Sequence, residues 1–241
     1  MKGLVSAIQF ITILPVGKPG HFDPQKMIQY FPLTGIILGV FLSIADQIFL
    51  QLWSMPVASM LDVVLLTVLT GAFHIDGLGD AADGLLGHRA KGQALAIMKD
   101  SRIGVMGLAA IVCILLIKLG GIMSLDAHRS LLIVIIPAYA RSSMLFGIKY
   151  LNYGRSGGTG YALFEEKLTY SSFWGLLIPV FFSFFLGWKG FLLNIFFLII
   201  TAGIIVYYKK RMGSITGDML GAMAEVVEAV LFLTVSAGSV I

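Results

Sequence analysis

Three aspartates fall close together in the segment His74-Ile75-Asp76-Gly77-Leu78-Gly79-Asp80-Ala81-Ala82-Asp83-Gly84-Leu85. On a helix Asp76, Asp80 and Asp83 occupy positions i, i+4 and i+7, which stacks their carboxylates along one face. Like charges at that spacing repel, and a divalent cation among them relieves the repulsion. Hard oxygen donors favour Mg²⁺, Mn²⁺ or Ca²⁺ over zinc. The residues between them are small (Gly77, Gly79, Ala81, Ala82, Gly84), so a phosphate or a neighbouring helix can come close. Asp76, Asp80 and Asp83 are therefore candidate metal ligands, Asp83 doubling as a candidate base. The plainer alternative is a helix cap at Asp76 with two solvated carboxylates behind it. His74 reads either as a ligand or general base or as a polar anchor at a helix end.

A second group, Met98-Lys99-Asp100-Ser101-Arg102-Ile103-Gly104, sets two cations, a carboxylate and a hydroxyl just before an apolar run. A helix starting there would present free N–H groups and the positive end of its dipole, so Lys99, Ser101 and Arg102 suit a phosphate and Asp100 is a second candidate base. An ordinary basic flank of a membrane span is the competing reading. A third, Gly213-Ser214-Ile215-Thr216-Gly217-Asp218, opens the last apolar run with another candidate base, Asp218, followed by Glu225 and Glu228 on nearly the same helical face. Arg141, inside an apolar run of its own, is expected to pair with these acids or to meet substrate. The loop Tyr153-Gly154-Arg155-Ser156-Gly157-Gly158-Thr159-Gly160 offers Arg155 to a phosphate or simply turns the chain.

The elements that must carry these residues are membrane helices. Of 241 residues 58% are hydrophobic and 12% charged, against about a quarter charged in soluble domains. Apolar stretches recur to the last residue, so a cleaved leader does not account for them. About 20 apolar residues cross a hydrocarbon core, and seven stretches qualify: Gln29–Gln51, Met55–Phe73, Ile103–Leu125, Ser130–Lys149, Ser171–Gly187, Gly190–Tyr208 and Gly217–Val240. Leu4–Leu14 is too short to span and is expected to lie at the interface, ending at Pro15 and the Gly17-Lys18-Pro19-Gly20 turn. The expected fold is an all-α polytopic helical bundle forming one catalytic domain over residues 1–241.

With the N-terminus inside, the inner segments hold Lys2, Lys18, Lys26, Arg89, Lys91, Lys99, Arg102, Lys149, Arg155, Lys167, Lys209, Lys210 and Arg211, and the outer loops only Arg129 and Lys189. This bias orients the chain in the cell (inner) membrane and puts every Asp-rich or Gly-rich loop on the cytoplasmic side. The same bias explains the net charge of +4 without nucleic acid as a partner. The single cysteine, Cys113, lies in an apolar run and excludes a disulfide framework. It is expected to pack against lipid or core.

These segments together resemble the cobalamin synthase family, the adenosylcobinamide-GDP ribazoletransferases. The resemblance rests on Ile8-Gln9-Phe10-Ile11-Thr12 with Leu14-Pro15, Tyr30-Phe31-Pro32-Leu33-Thr34-Gly35, the HxDGxxDxxDG string from His74, Met98-Lys99-Asp100-Ser101-Arg102-Ile103-Gly104, and Thr216-Gly217-Asp218 with Gly221-Ala222. It covers most of the chain. Gly158-Thr159-Gly160 departs from the Gly-Leu-Gly usual there. What the resemblance implies is a Mg²⁺-dependent reaction joining adenosylcobinamide-GDP to α-ribazole or its 5′-phosphate, with release of GMP. A homo-oligomer or a complex with other cobalamin-assembly enzymes stays open. The chemistry parallels that of CDP-alcohol phosphotransferases, whose Asp-Gly-x-x-Ala-Arg pattern is absent. The alternative from another class is a secondary transporter, for which Asp46, Asp62, Arg141, Glu225 and Glu228 would mark an intramembrane ion path. Against it, Asp46 and Asp62 are expected near outer helix ends, within reach of water.

Overall fold

A computed structural model describes residues 2–17, 23–125, 127–158 and 160–237. Lys18-Pro19-Gly20 of the expected turn, Thr159 of the Gly-rich loop and the tip of the last expected span lie outside the described residues. Among the described residues eleven α-helices follow in order: α1 Lys2–Ile11, α2 Pro24–Ile28, α3 Phe31–Leu52, α4 Met55–Leu69, α5 Phe73–Leu85, α6 Lys91–Ile97, α7 Val105–Met123, α8 Arg129–Tyr150, α9 Leu177–Ser183, α10 Trp188–Arg211 and α11 Gly217–Ser236. Short 3₁₀ helices cover Tyr161–Phe164, Tyr170–Leu176 and Phe184–Leu186. Among the described residues the only β pairing is an isolated bridge between Tyr153 and Ile215.

Five helices, α3, α7, α8, α10 and α11, are long and apolar enough to cross a membrane. A sixth span results if α4 and α5 count as one segment, bent by 87° at its break. The chain is thus a polytopic helical membrane protein, with fewer uninterrupted spans than the seven expected. Two stretches account for the difference. Met55–Phe73 ends as a helix at Leu69, because Gly71 (φ 59°) and Ala72 (φ 56°) both adopt the left-handed conformation and turn the chain. Ser171–Gly187 is a shorter unit, α9 between two 3₁₀ segments. Exposed Phe41, Ile44, Leu116, Phe184, Phe191 and Leu198 face outward, as lipid-facing side chains do.

Helices α8 and α11 form the centre: 83% and 72% of their apolar windows are buried, against 22–33% in α3, α7 and α10. Helix α3 packs closely along α8 because Gly35 and Gly39 bring the backbones together. A Cβ on Gly35 would lie 2.5 Å from the Pro137 carbonyl oxygen. Pro137 has no N–H for the helical bond to the Ile133 carbonyl, and Gly39 packs against that exposed carbonyl.

One hydrophobic cluster, including Met98, Leu145, Tyr208 and Met219, fills the end near α5 and α6. Another, including Leu42, Leu132, Tyr139 and Phe232, fills the opposite end. Between them on α7, α8 and α11 sits a buried ion network in which Lys118 Nζ contacts Glu225 at 2.6 Å and Glu228 at 2.5 Å, while Arg141 also pairs with Glu228. A second network clasps α3, α4 and α8. Arg129 lies 2.6 Å from Asp46 and 2.9 Å from Asp62, and also donates to Ser59. Contrary to expectation, Asp46 and Asp62 are fully buried and do not reach water, and Arg129 is a core cation and not a loop residue.

Candidate functional site

The site forms where α5 crosses the start of α11. Gly77 makes the crossing possible, since a Cβ there would lie 2.8 Å from the Asp218 carbonyl oxygen. The loop after α8 is drawn in by backbone bonds to the strand-like approach to α11: Gly154 N–H donates to Ile215 (2.8 Å), and Ile215 N–H donates to Asn152 (2.9 Å). This pairing carries Arg155 to 2.6 Å from Asp218. Thr216 caps α11, its hydroxyl accepting from Met219 N–H, which fixes Asp218 in the first turn.

Asp76, Gly77, Tyr153, Arg155 and Asp218 line a pocket of about 130 Å³. It adjoins a larger cleft of about 760 Å³, with which it shares Arg155 and Gly158 and which Lys99, Gly92, Leu95 and Ser156 also line. Asp80 lies within electrostatic range of Asp76, Asp218, Arg155 and Asp83. Among the described residues neither the Asp76 nor the Asp80 carboxylate has a hydrogen bond or ion pair. Burial holds the Tyr153 phenol above the usual tyrosine range, so it faces the pocket as a neutral hydroxyl at physiological pH.

Asp83 stands differently from its two neighbours. Its carboxylate accepts Gly104 N–H at 2.7 Å and Gly107 N–H at 2.9 Å, capping α7. A Cβ on either glycine would run into that carboxylate. The helix end expected to receive a phosphate beside Ser101 and Arg102 is therefore filled by the protein's own anion. Asp100 and Arg102 pair with each other at 2.6 Å, the Arg102 side chain being 87% exposed. They line a separate cleft of about 350 Å³ with Asp83 and Arg89. Hydrogen bonds from the Arg102 guanidinium and then its backbone N–H hold the Asp100 carboxyl down at about 2. Lys99 and Arg102, expected to grip one diphosphate together, thus line different clefts.

Two further expectations change. Arg141 is 1% exposed and bound to Glu228, so it makes the predicted acid pair but is closed to substrate. His74 is fully buried and faces the field of Arg141, Glu228 and Lys118. Neither of its ring nitrogens has a partner among the described residues. It therefore sits behind the acidic face and out of contact with the cleft that holds Lys99.

Sequence reasoning did not find Tyr153 as a lining residue, Lys118 as the fourth member of the core network, or the roles of Arg89 and Arg211. Arg89 donates to the Asp83 carbonyl at 2.6 Å and Arg211 to the Gly87 carbonyl at 2.5 Å, and together they hold the end of α5. For Arg89 the available signal is a cation one turn past a helix end, whereas Arg211, in the last turn of α10, meets α5 only through the fold.

For a hard cation the donor chemistry fits. Asp76 and Asp80 are unpartnered carboxylates beside a third, Asp218. As placed, no group of three or more His, Cys, Asp or Glu among the described residues is gathered to metal-binding distance. Approach of the acidic face of α5 to Asp218 is what a cation would have to draw in.

Fold and site together define a polytopic helical membrane protein with an acidic and basic cleft at one end of its bundle. The sequence pattern described as Cobalamin-5-phosphate synthase matches residues 3–236, and the chain belongs to that family. It is 35% identical to an adenosylcobinamide-GDP ribazoletransferase of Alkaliphilus metalliredigens, over 99% of this chain and 97% of that one. Proteins of the same name from Clostridium kluyveri (33% identical, 92% of this chain and 90% of the relative) and Pseudomonas putida (34%, 96% and 97%) are similarly related. No solved structure matches the chain.

Proposed function

We propose that this protein is an adenosylcobinamide-GDP ribazoletransferase: a hydroxyl of α-ribazole, or of its 5′-phosphate, attacks the cobinamide-side phosphorus of adenosylcobinamide-GDP. The new O–P bond forms as the bond to GMP breaks, and the hydroxyl proton passes to a carboxylate. The observation that carries this reading is the convergence, at one crossing, of free carboxylates on α5 with the cations Arg155 and Lys99 around a cleft large enough for a nucleotide. Arg155 and Lys99 are suited to bind the diphosphate and to offset charge on departing GMP. Asp218, held by Arg155, orients that guanidinium. Asp76 and Asp80, having no protein partner, are the residues for Mg²⁺ and for the hydroxyl proton, with Asp218 completing the donor set. Mg²⁺ bound there would neutralise diphosphate oxygens and polarise the phosphorus. Asp83 serves by fixing α7 to α5.

Asp46, Asp62, Arg141, Glu225 and Glu228 are each engaged in an internal ion pair, with Asp46 and Asp62 sharing the guanidinium of Arg129, whereas the carboxylates without a partner are those of α5 beside the cleft, which speaks against the transporter alternative. The proposed orientation places the cleft on the cytoplasmic side of the inner membrane, where nucleotides and Mg²⁺ are available. Purified protein in detergent, given adenosylcobinamide-GDP, α-ribazole and Mg²⁺, is expected to release GMP in step with adenosylcobalamin. No GMP, or GMP formed equally well without α-ribazole, overturns the reading.

A further inference from the structure

An apolar cleft of about 520 Å³ opens between α5, α7, α10 and α11. Its walls are hollowed by small residues, Ala81, Ala82, Ala110, Gly203 and Ala222, and no charged side chain lines it among the described residues, the polar groups there being the Tyr207 and Tyr208 hydroxyls and the Cys113 thiol. A cavity of this size inside a close-packed bundle forfeits contacts all round its lining unless something fills it. The rim residues Leu86 and Tyr207 are 57% and 43% exposed, so the cleft is open to the side, toward lipid.

The cleft is separate from the proposed reaction site. Its α5 wall is Leu78, Ala81, Ala82 and Leu85, the side of the helix that turns away from Asp76 and Asp80. A molecule lying in it is screened from those carboxylates by the backbone of α5. At the mouth the surface becomes basic. Lys210, seven residues on from Gly203 and three from Tyr207 along the same stripe of α10, is exposed in the last turn of that helix, and its side chain has no hydrogen bond or ion pair among the described residues. Beside it Arg211 is pinned to the Leu85 and Gly87 carbonyls at the cleft's edge. Gly203 lies two turns deeper, about 12 Å along the helix axis. An apolar slot entered from the membrane with cations at the level of the helix ends matches one ligand chemistry, an acyl chain carrying an anionic headgroup.

We propose that this cleft is a binding site for an anionic phospholipid, one acyl chain lying between α10 and the α5–α7 pair and the phosphate held by Lys210. The inference stands apart from the transferase reading and survives its failure.

Two features make the test clean. Gly203 lines the cleft and a Cβ there meets nothing within 4 Å, so a side chain can begin at this position and Gly203→Phe is the substitution chosen to occupy the slot. Cys113, the single cysteine, is exposed and lines the cleft, so it reports occupancy in the unaltered protein. Full-length protein is taken from bilayers of equal phosphatidylglycerol and phosphatidylcholine and examined by native mass spectrometry. The expected result is one retained phosphatidylglycerol, a loss of at least tenfold in its occupancy in Gly203→Phe, and loss of the preference over phosphatidylcholine in Lys210→Gln. In micelles, phosphatidylglycerol should slow maleimide labelling of Cys113 at least fivefold and phosphatidylcholine should not. Undiminished retention by Gly203→Phe overturns the proposal. Equal retention of both lipids, or protection of Cys113 by adenosylcobinamide-GDP or α-ribazole but not by phosphatidylglycerol, overturns it as well. If Gly203→Phe fails to fold, the Cys113 measurement on the unaltered chain decides.

Discussion

Asp100 is a clear case of a residue whose partner determines its chemistry. With the Arg102 side chain and backbone N–H both donating to it, its carboxyl is held at about 2, below the ordinary carboxylate range. A carboxyl depressed in this way is ionised at every pH above that value and loses its charge only as the pH falls toward about 2. It is therefore constant between pH 5 and 9, and a carboxylate so weakly basic is a poor acceptor for a hydroxyl proton. Asp100→Asn is expected to leave the position of any acidic limb in the pH profile of kcat/KM unchanged, whatever it does to the height. A limb that moves or vanishes in that variant, measured across pH 5–9, would restore Asp100 as the base. The sequence showed Asp76, Asp80 and Asp83 as three equivalent carboxylates on one helical face. It had no means of showing that Asp83 meets the N–H groups of Gly104 and Gly107 some twenty residues on, because that bond depends on how α7 returns to α5.

Hydropathy made the membrane helices legible and hid where they break. The run Met55–Phe73 reads as one span because Asp62 is its only charged residue, whereas the turn depends on two residues with positive φ, Gly71 and Ala72, of which only the glycine is suggestive in sequence. The stretch Tyr170–Leu186 is a different matter. It is too short for a span at the α-helical rise of 1.5 Å per residue, but ten of its seventeen residues are in 3₁₀ helix, which rises about 2.0 Å per residue. The stretched unit covers about 30 Å, the thickness of the hydrocarbon core. It should accordingly cross, placing Gly187 and Trp188 opposite the Arg155 loop. In a Cys113→Ala background, a cysteine at Gly187 is expected to react with an impermeant thiol reagent in intact cells and one at Gly157 is not. Labelling of Gly157 and protection of Gly187 would invert the orientation, and equal behaviour of the two would show that the unit does not cross.

At the scale of the whole bundle, the site hangs from charges buried beneath it. Lys118, Arg141, Glu225 and Glu228 balance to zero and tie α7 and α8 to α11, the helix whose first turn carries Asp218. Pairing of Arg141 with an acid on the last helix followed from the cost of an isolated guanidinium in lipid, but Lys118 sits in a run so apolar that hydropathy gives no hint of a partner. Removing one member strands a buried charge, typically at about 3–5 kcal/mol. Glu228→Ala should therefore lower the melting temperature in detergent sharply, and adding Arg141→Ala should recover part of the loss. Additive losses in the double variant would mean that the two charges do not depend on each other.

The account turns on the acidic face of α5, where it crosses α11, being the place at which the phosphoanhydride is exchanged. The most direct test is the initial rate of GMP release by Asp80→Asn, compared with the unaltered protein at saturating Mg²⁺ and in samples matched for melting temperature. Asp80 has no hydrogen bond or ion pair to lose, so the substitution should leave the fold as stable as before. The rate is expected to fall about a hundredfold or more, the scale of removing a preorganised electrostatic group. A rate indistinguishable from that of the unaltered protein would contradict the account.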